Sequence, residues 1–502
     1  MKMNKNVFVL YTMVKYNRKK KTMKRKQTID NKVCDDKMTF QDCELAVLRH
    51  AVDLNEDIKG RRVVGNSDVK EILKIVEQFI INKKLICYGG TAINNILPKS
   101  VQFYNKDVEI PDYDFFSPNA MDDSKELADI YYNSGYIDVE AKAGMHYGTY
   151  KVFVNFIPIA DITQLVTPLY KSIYRDSIKV GGIHYTPPNY LRMSMYLELS
   201  RPDGDSSRWE KVLKRLNLLN KYRPMTTPNC EKIDFQRKLD NKSNNAEKLY
   251  IITRDTLINE DVVFFGGYAS GMYSKYMDTK KRRKLQKIPD FDVLSDDPDY
   301  TALRLKEQLE ESNFEDIRLV HNDAVGEVVP ENIEVTIGKD EIIAIIHKPI
   351  GCHSYNEVSV ENNTIKIATI DTIMSLYLSF IYIDKETHND RLVCMAKYLF
   401  DLQEEHRLTQ GGLLKRFTNT CYGKQQTLED IRSEKANKYK ELGSNRNSKE
   451  YHEWFLKYTP SEPEPAVNKS KSKLKSNTTK KKTSDLSKTK RSKLLKFFGL
   501  TD

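Results

Sequence analysis

The 502 residues exceed what one ordinary core holds, so two or three domains are expected. A hydrophobic share of 39% with 10% aromatics suffices for globular packing, and no apolar run approaches the roughly 20 residues that span a bilayer, which excludes a membrane helix. The net charge of +11 sits at the ends: residues 1–29 and 468–502 carry +10 each, leaving −9 for the body, so a uniformly basic protein is excluded.

Residues 1–40 read as a basic, disordered arm. Its apolar stretch Val7–Val14 runs into KYNRKKKTMKRK and not into a small-residue cleavage site, so it does not read as a secretion signal. Residues 456–502 read as a second basic, disordered tail. Such tails bind polyanions loosely or solubilise the chain. The seven cysteines are scattered, odd in number and without a CxxC pair, which suits a reducing compartment and predicts neither a disulfide framework nor a zinc site.

Between the tails the chain repeats itself, and two domains are expected, over 41–230 and 231–455. In the first, Ser67–Ile81 is an amphipathic helix candidate with Val69, Ile72, Val76, Phe79 and Ile80 near one face. The apolar run Leu85–Tyr88 meets Gly89–Gly90, and IPDYDFFS follows at 110–117. Next come a helix candidate at Ser124–Asn133, strand-like runs YIDVEAKAG and YKVFVNFIPIADI, and a helix LRMSMYLEL at 191–199. The second domain repeats the order: helix Ala246–Ile258, apolar run Val262–Phe265, Gly266–Gly267, then IPDFDVLS at 288–295. It continues with TALRLKEQLEES, IEVTI, EIIAIIH and the helix TIMSLYLSF at 372–380. Gly89 precedes Asp112 by 23 residues and Gly266 precedes Asp290 by 24, so an ordered series recurs at near-constant spacing. The fold class is therefore α/β (α+β): two tandem mixed-sheet units with helical additions.

Asp112 and Asp114 stand at i and i+2, which on a strand puts both carboxylates on one face. Crowded carboxylates repel unless a cation lies between them, and hard oxygen ligands suit Mg²⁺ or Mn²⁺. The Gly-Gly turn after a strand lets backbone N–H groups approach a phosphate. Together these predict nucleotidyl transfer with two metal ions, although structural and sugar-transferase uses of DxD are common. A third carboxylate is required. Asp161 in VFVNFIPIADIT, 47 residues past Asp114, is the first choice and Asp138 the alternative. Pro158 in that run implies an edge or bulged strand.

YGGTAINNIL, PDYDFF and FIPIADIT resemble the signature of polymerase-beta-like nucleotidyltransferases. LELSRPDGDSSRWEKVLKRLNLLNKY at 197–222 is more specific: it resembles the poly(A) polymerase catalytic subunits of large cytoplasmic DNA viruses (poxviruses, asfarviruses and mimivirus-like viruses). The resemblance covers roughly residues 60–400. It implies a template-independent polynucleotide adenylyltransferase adding AMP from ATP to the 3′ end of single-stranded viral mRNA, with two Mg²⁺ or Mn²⁺ ions. Carried over by position, Asp112, Asp114 and Asp161 are the catalytic, metal-binding triad. Gly89, Gly90 and Thr91 form the phosphate turn, and Arg208 and Lys211 lie near the triphosphate or RNA backbone. Trp209 stays open between base stacking and core packing. The resemblance further implies the host cytoplasm (a viral factory), with virion packaging as an alternative, no membrane association, and either a homodimer or a processivity-factor partner.

The second unit keeps Gly266, Gly267, Asp290 and Asp292, but the position matching Asp161 falls on Ile346 or His347, and Glu334 stands only 42 residues past Asp292. That unit is expected to be degenerate and inactive, serving structure and RNA or partner contact. Two competing readings remain: another RNA 3′-terminal nucleotidyltransferase (uridylyl- or CCA-adding), or a non-catalytic RNA-binding scaffold.

Overall fold

The structure is a computed structural model that describes residues 33–34, 37–64, 67–105, 111–235, 246–285, 291–326, 328–338, 341–360, 363–383 and 389–461. The basic stretches 1–29 and 468–502, and Asp290, lie outside the described residues. The chain forms two compact units, residues 1–60 and 61–502. The first consists, among the described residues, of most of helix α1 (Phe40–Val64) with a disulfide between Cys34 and Cys43.

The second unit holds both sheets. Helix α2 (Ser67–Lys83) buries all five of its predicted apolar positions, Val69, Ile72, Val76, Phe79 and Ile80. Strand β1 (Ile86–Cys87) runs into α3 (Gly89–Ile96), and β2 (Tyr113–Ser117) into α4 (Ala120–Asn133). Then come β3 (Val139–Ala143), β4 (Thr149–Val154), β5 (Ile157–Gln164), α5 (Thr167–Arg175), β6 (Ile178–Val180), β7 (Ile183–Tyr185), α6 (Pro188–Leu199) and α7 (Trp209–Tyr222). The run VFVNFIPIADIT is two strands, not one: the chain reverses at Asn155 and Phe156, whose φ of 51° and 67° lie in the left-handed region. Pro158 sits at the start of β5 beside a register shift at Val152/Phe153, so the bulge expectation holds; β5 is interior to the sheet, not an edge.

The second half repeats this with α8 (Ala246–Asn259), β8 (Val263–Phe264), α9 (Gly267–Tyr273), α10 (Thr279–Leu285), β9 (Phe291–Leu294), α11 (Pro298–Glu311), β10 (Ile317–Asn322), β11 (Asn332–Ile337), β12 (Glu341–His347), β13 (His353–Val360), β14 (Asn363–Ala368) and α12 (Ile370–Phe380). The first sheet has the order β3-β4-β5-β2-β1-β7-β6 and the second β10-β11-β12-β9-β8-β14-β13, with the late strands β16 (Lys457–Tyr458) on β3 and β15 (Cys421–Tyr422) on β13. Each of the six ladders keeps its sense: β2–β5 and β9–β12 are parallel, as are β1–β7 and β8–β14, and the others are antiparallel. Both sheets are therefore mixed. The halves join through their equivalent helices, α6 packing on α12, with Tyr190 edge-on to Tyr382 at 5.3 Å.

The expectation of no disulfide framework is overturned. Besides Cys34–Cys43, disulfides link Cys230 to Cys394 and Cys352 to Cys421, and Cys87 is free and buried. Separations of 164 and 69 residues hide two of these pairs from any local spacing rule. Among the described residues no helix is long and apolar enough to cross a membrane.

Candidate active site

The site forms where β1 and β2 meet. Tyr88 N–H donates to the Asp114 carbonyl at 2.9 Å, and the chain turns at once into α3. Gly89 has φ +67°, a left-handed conformation that an L side chain adopts at a cost. A Cβ there would also lie 2.8 Å from Asp114 Oδ2, so the turn is closed against the acidic strand. At Gly90 a Cβ would collide with the Tyr104 hydroxyl and lie 2.9 Å from an Arg215 guanidinium nitrogen. Thr91 is buried, and its hydroxyl donates to the Asp112 carbonyl at 2.6 Å. Thr91 thus ties the turn to the acidic strand and spends its side chain there.

The register of β2 on β5 sets Asp114 directly opposite Asp161, and β4 on β5 sets Lys151 opposite Asp161. Directly paired residues share a face, so Asp114, Asp161 and Lys151 form one row. Lys151 makes an ion pair with Asp161. Burial, then Asp112 and Asp161, push the Asp114 carboxyl up to about 7, against the opposing pull of Lys151 and Arg208. Partial desolvation and Asp161 raise the Asp112 pKa as well. Asp138, the alternative third carboxylate, precedes β3 at the far side of β4, and its backbone carbonyl accepts from Asn155 N–H at 2.7 Å.

Among the described residues the three carboxylates do not converge to a set whose oxygens all lie within 4.8 Å of one another; the group that does is Asp203 with Cys352 and Cys421, and that cysteine pair is disulfide-bonded. Lys151 holds Asp161 through its ion pair. Asp112, Asp114 and Asp161, the second with its carboxyl raised to about 7 by burial and then by its two acidic neighbours, are a donor set suited to a hard divalent cation.

Arg208 ends a 3₁₀ turn, Ser206–Arg208, and caps α7; Lys211 lies one turn on. Arg208 pairs with Glu198 at 3.1 Å, and burial raises the Glu198 pKa while Arg208 opposes it. Trp209 donates Nε1–H to the Glu198 carbonyl at 3.0 Å and packs against Phe417 at 5.8 Å, which assigns it to the scaffold. Three groups were missed from sequence. Arg215 hydrogen-bonds the Tyr104 hydroxyl at 3.0 Å and lies over Phe103 at 4.7 Å, beside the Gly-Gly turn. Arg208, Lys211 and Arg215 at i, i+3 and i+7 make one stripe, so helical period alone signals Arg215. Lys151 was hidden by the unseen hairpin. Tyr104 carried no signal.

In the second half the turn is different. Gly266, opposite Asp292 as Gly89 is opposite Asp114, has φ −30°, and a Cβ there would collide with the Asp292 carboxylate. Register places Ile345, not Ile346 or His347, opposite Asp292, and Glu334 where the first sheet has Lys151. Tyr268 takes the place of Thr91 and packs with Phe264 at 4.8 Å and Phe291 at 5.6 Å. Aromatic packing thus occupies the region equivalent to the first turn.

A glycine turn opening a helix beside an acidic row on a mixed sheet, with a second copy filled in, defines a nucleotidyltransferase-like fold of two tandem units. Comparison narrows the likeness. Residues 74–205 match the family model described as Poly(A) polymerase catalytic subunit. A protein of African swine fever virus, named as such a catalytic subunit, is 32% identical over 174 residues, covering 34% of this chain and 36% of its own length. One of Acanthamoeba polyphaga mimivirus with the same name is 29% identical over 239 residues, covering 45% and 39%. The chain thus spans little more than a third of the length of these curated relatives. The solved structure of the Megavirus polyadenylate synthase aligns with a TM-score of 0.71 at 19% identity, over 88% of this chain and 89% of that one, and shares its fold. The resemblance read from the motifs is borne out.

Proposed function

We propose that the chain is a template-independent poly(A) polymerase that adds AMP from ATP to the 3′ end of single-stranded mRNA. The observation that carries the reading is Asp114 against the Gly89–Gly90 turn with Asp161 paired opposite it and Asp112 within the field of Asp161, in the segment that matches the family model. The triphosphate lies on the backbone N–H groups at the start of α3, with Arg215, Lys211 and Arg208 supplying charge along one helix stripe. Asp112, Asp114 and Asp161 would hold Mg²⁺ or Mn²⁺, two ions in all, whose charge acidifies the RNA 3′-hydroxyl and stabilises the departing pyrophosphate. The chain's own residues position and orient: the Thr91–Asp112 hydrogen bond fixes the turn to the acidic strand, and Lys151 holds Asp161. The second unit takes a structural or RNA-contacting role, since the third carboxylate position is Ile345. By the same family likeness we place the protein in the host cytoplasm.

The test is primer extension on oligo(A) RNA with each nucleoside triphosphate supplied alone. Extension with ATP, and its loss in Asp112→Ala/Asp114→Ala with RNA binding retained, is the expected result. Extension by UTP or CTP in place of ATP overturns the adenylyl assignment, and tailing that survives the double substitution overturns the site.

A further inference from the structure

The opposite end of the first sheet carries a cleft of about 450 Å³ that the proposed reaction does not use. Strand β1 begins at this end and β2 finishes there, so the cleft is separated from Asp114 by the length of the strand, about 13 Å for four residues. Its walls carry Lys83 and Lys84 from the end of α2, Tyr170, Lys171, Tyr174 and Arg175 from α5, and Asp123. Four cations line the cleft with one acid: Lys83 pairs with Asp123 at 3.1 Å and with Glu126 at 2.6 Å, and Arg175 pairs with the adjacent, exposed Asp176 at 3.4 Å. Among the described residues Lys84 and Lys171 have no acidic partner. The positive field reaches the neighbouring strand, where burial, then Lys179 and Lys84, push the His184 pKa down.

Helix α5 arranges these groups in two parallel lines. Tyr170 and Tyr174 stand at i and i+4 with rings 6.3 Å apart and inclined by only 18°, and Lys171 and Arg175 form the adjacent i, i+4 line. The tyrosine tips are fixed, Tyr170 by the Lys84 carbonyl at 2.9 Å and Tyr174 by His184 at 3.2 Å. A line of held aromatic rings beside a line of exposed cations matches single-stranded nucleic acid, whose bases stack and whose phosphates need charge.

We propose that this cleft is a second nucleic-acid subsite, which holds a nucleotide of the RNA upstream of its 3′ end. The phosphate lies on Lys84, Lys171 and Arg175 and the base against Tyr170 or Tyr174. In naming RNA as the ligand this rests on the function proposed above; the test is made separable by measuring binding.

Affinity of the full-length protein is measured by fluorescence anisotropy for a trinucleotide and for a long single-stranded RNA, over a salt series. Lys171→Ala/Arg175→Ala is expected to weaken the long RNA by about tenfold and to reduce its salt slope by about 0.7, the value for one lost phosphate contact on a single strand. Trinucleotide affinity and extension stay unchanged. The exposed pair Lys440→Ala/Lys449→Ala, with the same charge change, leaves both affinities as they were. An unchanged long-RNA affinity, an equal loss for the trinucleotide, or an equal loss in the control pair overturns the proposal. So does displacement of the long-RNA increment by free AMP at concentrations that leave the trinucleotide bound, which assigns the cleft to a free nucleotide. A wild type that binds in this way yet extends no primer sinks the polymerase reading alone.

Discussion

Asp114 is the carboxylate of the proposed site that lies against the glycine turn. Its carboxyl is raised from an ordinary 3.8 to about 7, so the folded protein holds this proton more tightly than the unfolded chain does. Below pH 4 the group is protonated in both states and its contribution to stability is complete; that contribution is lost as pH rises from about 4 through 7. Cation binding needs the ionised form and follows the opposite trend. In EDTA, the Asp114 contribution to thermal stability therefore declines between pH 5 and 8, and Asp114→Asn removes this part of the decline. The rise in Tm on adding Mn²⁺ is larger at pH 8 than at pH 5. Lys151 lowers the pKa of Asp114, so Lys151→Met moves the pH midpoint of the Mn²⁺ effect upward; an unmoved midpoint speaks against Lys151 as part of the site. The glycines differ in what they permit. Gly89→Ala meets both a left-handed φ and Asp114, costing about 1–2 kcal/mol in backbone strain alone. Gly90→Ala instead displaces the movable ends of Tyr104 and Arg215. It is expected to raise KM for ATP with little change in denaturant midpoint.

Duplication is most visible among the elements. The two copies share strand order and the sense of every ladder, yet the place of Thr91 beside the first turn is taken in the second by Tyr268, packed on Phe264 and Phe291. Backbone hydrogen bonding preserves a topology under wide side-chain change, whereas a cation site fails with the loss of one carboxylate. Asp292→Asn is therefore expected to leave ATP extension within about twofold of wild type, while Asp114→Asn lowers it by at least about 10²-fold. Equal losses measured by initial rates contradict an inactive second unit. The repeated order of helices, runs and glycines was legible before the structure because helix period and Gly-Gly are local features. The hairpin at Asn155–Phe156 was not: Asn155 takes a left-handed φ readily, but Phe156 does not, and the apolar residues on both sides read as one continuous strand. The β6–β7 and β13–β14 hairpins likewise went unread, their strands being short or polar.

For the molecule as a whole, the pairing of equivalent helices α6 and α12 makes one compact body from the two halves. Cys230–Cys394 closes a loop of 164 residues within it, joining the segment after α7 to the helix Asn389–Glu405. A cross-link that long removes substantial chain entropy from the unfolded state. Cys230→Ser/Cys394→Ser is expected to lower oxidised-state stability by about 2–4 kcal/mol, read as an earlier urea midpoint. An unaltered midpoint shows that the bond contributes nothing to the folded state.

The acidic phrase, the glycine turn and the order of elements were determined by sequence alone, because each depends on neighbours within a few residues. The proposal that Asp112, Asp114 and Asp161 act together came from spacing and family likeness. Tertiary structure decided what register and distant packing control: Asp161 opposite Asp114, Lys151 opposite Asp161, Arg215 at the turn, Ile345 as the missing acid, and three cysteine pairs. A one-residue slip of β5 or β12 would turn its side chains to the other face; the alternation along each strand sets the face, while the partner residue is set by pairing with strands distant in sequence. The repeated aspartates mark where a site can form; strand register sets an acid opposite Asp114 in one copy and Ile345 opposite Asp292 in the other.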